Sequence, residues 1–202
     1  MGRFPEMNEL HRTGGKLFDA DDNLVPASDS IIFPDVKCFT ADGKEHDLVQ
    51  ILRGKVTCVT VFMRDFARPM LKSWEEHIDE VKQEYPQLQV VQLSFVEGVA
   101  YRLIKGWMIS SMKKRIQPDK HDRIHMCFGS SDEFRKALHV KNRLVAYIFL
   151  VDSQGRMRWQ AVGYPLPHEA RFMRKSVGKV GAGNDKGRGE KRAIVSLSSS
   201  KT

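Results

Sequence analysis

The stretch KVTCVTVFMRDFARPM, residues 55–70, decides how this chain is read. Its first nine residues, Lys55–Met63, are mostly β-branched and apolar on both faces, the pattern of a central parallel strand covered on both sides. Pro69 then stands where a helix opens, because the first helical turn has no use for the missing N–H. Leu71, Trp74, Ile78, Val81 and Tyr85 follow at steps of three or four, forming one apolar stripe, and Pro86 closes the helix.

Working outward, Leu88–Val96 reads as a second strand and Gly98–Ile116 as a helix stopped before Pro118. Arg123–Phe128 is a short strand. A short helix, Asp132–Leu138, starts from a Ser-Ser-Asp cap. Leu144–Asp152 and Met157–Val162 flank Ser153, Gln154 and Gly155 and make a hairpin, and Pro167–Val180 is the last helix. On the other side, Ile31–Phe39 and the turn Ala41-Asp42-Gly43-Lys44 form a first hairpin. Strands alternating with helices imply a mainly parallel central sheet with helices on both faces, and the terminal hairpin adds antiparallel edge strands. This α/β order fits a thioredoxin-like fold.

The 202 residues are 41% hydrophobic and 29% charged, enough apolar material for one domain, expected over residues 30–180. Residues 1–29 read as a polar N-terminal extension, with Gly14-Gly15 and the acids Asp19, Asp21 and Asp22. Residues 181–202 read as a flexible basic tail. From Lys179 onward six basic residues face two acids, so this end supplies half of the formal net charge of +8. The longest apolar runs are strand-sized and do not cross a bilayer as a helix. The opening MGRFPEMNEL carries Glu6 and Glu9 and no continuous apolar core, so it reads neither as a secretory signal nor as an Arg-rich presequence. The excess of cations favours an acidic partner, whether anionic membrane, nucleic acid or acidic protein.

Enzymes on this scaffold attack with a thiolate just after the first central strand, where the helix dipole lowers the thiol pKa. Here that segment, Arg64-Asp65-Phe66-Ala67-Arg68-Pro69-Met70, holds no cysteine. Redox-active relatives also carry a proline before the strand facing that loop, and the matching position, near Ala146, has none. Cys58 falls mid-strand, Cys38 beside a turn and Cys127 within a strand, and none of them begins a helix. The expectation is a redox-silent scaffold with no catalytic residue, no cofactor and no small-molecule substrate. The rival is a thiol peroxidase or disulfide reductase using a displaced cysteine such as Cys38. His121, His125 and Cys127 are the residues to weigh as metal ligands, but no fourth donor is near in sequence, so no metal is expected. Nucleic-acid binding has only charge behind it, since no aromatics interleave with the basic tail.

The helix over residues 98–116, GVAYRLIKGWMISSMKKRI, is the most informative segment. Val99, Leu103 and Trp107 make one apolar row and Ile104, Met108 and Met112 another. Arg102, Lys105, Lys113, Lys114 and Arg115 carry charge. A core-packed helix with cations at its C-terminus is one reading. The other takes Trp107, Met108 and Met112 as a soft apolar surface for a client helix or bilayer interface, flanked by Lys113, Lys114 and Arg115.

Several pieces together resemble the mitochondrial ATPase complex assembly factors that help the membrane subunit a (subunit 6) join the Fo sector. They are Phe33-Pro34, the Asp42-Gly43-Lys44 turn, Leu52-Arg53-Gly54-Lys55-Val56-Thr57 running into Val61-Phe62, and Trp107 with Arg115-Ile116-Gln117-Pro118. His121-Asp122 and the run from Phe149 to Trp159 through Asp152 and Gly155 complete them. The resemblance implies a dedicated chaperone rather than an enzyme, peripheral on the matrix side of the mitochondrial inner membrane. Its implied partners are subunit a and the anionic membrane surface.

Overall fold

The structure is a computed structural model and describes residues 5–98 and 101–181. A seven-stranded sheet runs through it in the order β2-β1-β5-β4-β3-β6-β7. The strands are β1 (Lys37–Thr40), β2 (Glu45–Asp47), β3 (Thr57–Phe62), β4 (Gln89–Val96), β5 (Ile124–Phe128), β6 (Tyr147–Val151) and β7 (Met157–Val162). The helices are α1 (Pro5–Thr13), α2 (Leu48–Leu52), α3 (Arg68–Glu84), α4 (Tyr101–Arg115), α5 (Asp132–Ala137) and α6 (Pro167–Gly181).

The sheet is less parallel than the sequence pattern implies. Only β3–β4 and β4–β5 are parallel; the other four pairings are antiparallel. Helix length explains the difference. The 17 residues of α3 and the 15 of α4 span about 1.5 Å each, enough to carry the chain back along a strand of five to eight residues. The six residues of α5 cover only about 9 Å. The chain therefore re-enters the sheet from the end at which β5 left it, and β6 runs antiparallel to β3.

Alternation assigns the two faces. Thr60, Val90, Gln92 and Ile124 share a hollow with Leu71, Glu75 and Ile78 of α3. On the same side Trp74 meets Trp159 edge to face at 6.4 Å, and Trp159 meets Phe172 of α6. The opposite face is sealed by Phe33 and by Phe134 of α5, whose rings pack on Phe149 and Phe95. Leu48 and Leu52 of α2 are fully buried in the same core.

The first hairpin is shorter than its sequence pattern implies. Pro34 has no N–H for the ladder, β1 begins only at Lys37, and Ile32 instead forms an isolated bridge to Arg156. The tight reversal itself forms: Gly43 has φ +86° and donates to the Thr40 carbonyl. Residues 5–29 lie against the body. Glu6 is held by Arg143, and Asn142 donates to the Glu6 carbonyl and the Glu9 carboxylate. The fully buried Glu169 carboxylate takes the Lys16 ammonium, the Ala20 N–H and the Leu166 N–H. Trp159 Nε1 donates to the Asp21 carbonyl at 2.8 Å. Residues 182–202, where the basic tail is expected, lie outside the described residues.

Candidate functional site

Two places compete for function: the loop between β3 and α3, and the outer face of α4. The loop forms a short 3-10 turn, Asp65–Ala67, before α3 begins with Pro69 in its first turn. Its charged side chains are paired, and Phe66 between them is exposed. Arg64 reaches Glu97, at the end of β4, at 2.8 Å, and Arg68 pairs with Asp65 at 2.7 Å. The Glu97 carboxylate also accepts from Ser131 and lies 3.8 Å from Arg143. Burial pushes the Glu97 carboxyl upward, but the Ser131 hydroxyl and the Arg64 charge outweigh it and hold the group below its usual range. The two serines of the Ser-Ser-Asp run before α5 divide: the Ser130 hydroxyl takes the Asp132 N–H, while the Ser131 hydroxyl serves Glu97.

The thiols sit elsewhere and are all buried. Burial pushes Cys58 up to about 12. Burial and the nearby carboxylates of Asp35 and Asp47 push Cys38 up to about 12. Cys127 is raised in the same direction by burial and by Cys38. None of the three lies at a helix N-terminus. His125 is buried and His121 points its Nε2 at the Ile116 carbonyl, 3.0 Å away. Among the described residues no three His, Cys, Asp or Glu side chains are grouped to hold a metal ion.

Helix α4 has two distinct sides. Lys105 Nζ lies 3.6 Å from the centre of the Phe39 ring and 5.6 Å from that of Phe128, and Tyr101 packs on Phe128. Met112, about three turns into α4, is 8% exposed and also faces inward. The other side is open. Leu103 is 90% exposed, Trp107 67% and Ile104 41%. Lys113, Lys114 and Arg115 are exposed at the C-terminal end of the same helix. Of the residues singled out from sequence, Trp107, Lys113, Lys114 and Arg115 thus lie on the surface, Met108 at the boundary and Met112 inside. Val99 lies outside the described residues. Leu103 belongs to the open face by its i, i+4 spacing from Trp107. The cation–π seat of Lys105 had no sequence signal, because Phe39 and Phe128 are far away along the chain.

Comparison with known proteins sets this geometry in context. At 17% identity, BsSco, a member of the Sco family of cytochrome c oxidase assembly proteins, superposes with a TM-score of 0.53 over 77% of this chain and 97% of its own. A putative thiol:disulfide interchange protein DsbE from Chlorobium tepidum gives 0.51 at 16% identity, over 75% and 97%. Both support the thioredoxin-like fold and nothing finer. The mitochondrial ATPase complex subunit ATP10 of Candida glabrata is 27% identical over 186 residues, covering 87% of this chain and 66% of that protein. Its Saccharomyces cerevisiae namesake is 25% identical over 184 residues, covering 81% and 64%. The chain therefore spans just under two thirds of the length of these relatives. The family model described as ATP10 protein matches residues 1–180, and the chain belongs to that family.

Proposed function

We propose that this chain is a non-catalytic assembly factor for the membrane sector of the mitochondrial ATPase, one that holds subunit a (subunit 6) as it joins Fo. The observation that carries the reading is the open apolar face of α4, Leu103, Ile104 and Trp107, with three cations at the end of the same helix. An apolar patch bordered by charge on one helix fits a partner that is itself apolar and flanked by anionic groups. A membrane-subunit helix at the matrix face of an inner membrane rich in anionic lipid has that chemistry. Support for a holding role comes from the loop before α3, where Arg64, paired with Glu97 from the end of β4, stands in the segment that reductases give to a thiol. No helix among the described residues is long and apolar enough to cross a membrane, so contact through α4 would be peripheral.

The test separates docking from folding. Lys113→Glu, Lys114→Glu and Arg115→Glu together, and separately Trp107→Glu, are expected to weaken flotation with cardiolipin-containing vesicles at least tenfold. The same variants are expected to lower photo-crosslinking to subunit a in isolated mitochondria. Thermal unfolding should move little, since all four side chains are exposed. Unchanged flotation and crosslinking in both variants would remove α4 as the docking face.

A further inference from the structure

Cys38 and Cys127 are 89 positions apart in the chain, yet the antiparallel register of β1 and β5 sets them directly opposite one another. Residues in that relation have Cβ atoms about 4.5–5.5 Å apart and on the same face, close to the separation a disulfide needs. Both side chains point into the face sealed by Phe33 and Phe134 and are essentially unexposed. Their sulfurs are near enough for Cys38 to raise the Cys127 thiol electrostatically. The Cys38 thiol donates to the His46 carbonyl at 3.6 Å, across the short strand β2. Cys58 is excluded from this pairing. It lies on β3, beyond β4, and alternates onto the α3 face of the sheet.

We propose that Cys38 and Cys127 are a cross-strand dithiol that closes to a disulfide when the chain meets a low-molecular-weight disulfide such as glutathione disulfide. One cysteine thiolate attacks a glutathione sulfur, the glutathione S–S bond breaks, and one glutathione thiolate leaves. The second cysteine thiolate then attacks the sulfur of its partner in the mixed disulfide. The Cys38–Cys127 bond forms and the second glutathione leaves. The two cysteine protons end on the two departing thiolates, and two electrons pass from the cysteine pair to the oxidant. Because both sulfurs are buried, the exchange runs through opening of the sheet edge, where β1 and β2 have only four and three residues. The bond would sit behind the seat of α4: Phe39 and Phe128, the neighbours of the two cysteines in sequence, face the other way and contact each other and Lys105. Closing it would tie the edge hairpin to the parallel core.

Three thiols allow three pairings, and in an unfolded chain loop closure favours the shortest, Cys38–Cys58, and disfavours Cys38–Cys127, the most widely separated pair. The full chain is incubated in a glutathione redox buffer with sub-denaturing urea, quenched in acid and mapped by non-reducing mass spectrometry. The expected product has lost roughly 2 Da, links the Cys38 and Cys127 peptides at least tenfold over either other pairing, and leaves Cys58 a thiol. It should unfold at a higher temperature than the reduced chain, and dithiothreitol should reverse the shift. Cys58→Ser should leave both results unchanged. A mixture of pairings, glutathione adducts, or persistence of all three thiols would overturn the proposal. None of these outcomes bears on docking through α4, which is read by a different assay.

Discussion

Individual side chains decide stability here through burial without water. Glu169 is the clearest case: its carboxylate is sealed from solvent and collects Lys16 and two backbone N–H groups. Removing the carboxylate leaves the Ala20 and Leu166 N–H groups without their partner, while Lys16 keeps the Val162 and Tyr164 carbonyls. Glu169→Ala is therefore expected to destabilise the fold by about 2–4 kcal/mol in urea unfolding. His125 behaves in the opposite sense. Burial, the leading effect, lowers its pKa from the usual value of about 6.5 and favours the neutral ring in the folded state. The unfolded chain then binds the extra proton first, so the stability this group contributes is present above about pH 6.5 and is lost as pH falls below it. Unfolding free energy measured from about pH 7.5 down to about pH 5.5 should decline, and His125→Leu should flatten that decline. An unchanged slope would place the titration elsewhere.

At the scale of elements, α4 sorts its own residues by face. Met112 is inside and Trp107 outside because five positions set them about 140° apart around the helix. Met112→Ala should cost about 2–4 kcal/mol, whereas Trp107→Ala and Leu103→Ala should each stay within about 0.5 kcal/mol. Chemical denaturation of the three variants checks both expectations. A large loss from Trp107→Ala would mean that this ring supports the fold. Replacing Lys105 by Gln should loosen α4 by about 1 kcal/mol, because the cation leaves the Phe39 and Phe128 rings. Faster amide exchange confined to α4 is the expected signature.

Across the whole molecule, the N-terminal segment wraps the end of the sheet and crosses β7 at glycines. A Cβ on Gly163 would collide with the Gly15 carbonyl oxygen, and Gly163 has φ +71°. Gly163→Ala should thus displace residues 15–20 and cost about 2 kcal/mol or more, seen as cleavage there under limited proteolysis before global unfolding.

The order of strands and helices was legible because each element carries its own period: the β-branched run before α3, the three-and-four stripe within it, the glycine turns at Gly43 and Gly155. The position lacking a thiol was equally plain, since residue types in one loop need no folding to be read. What only the tertiary structure decided are relations between distant residues. The direction of β6, the facing of Cys38 and Cys127, the Lys105 seat and the Glu169 clasp all join segments tens of residues apart. Local periodicity carries no information about which face of α4 finds aromatic neighbours, or about which acid will be sealed from water. Those outcomes follow from packing, where the burial of one side chain depends on the placement of every other around it.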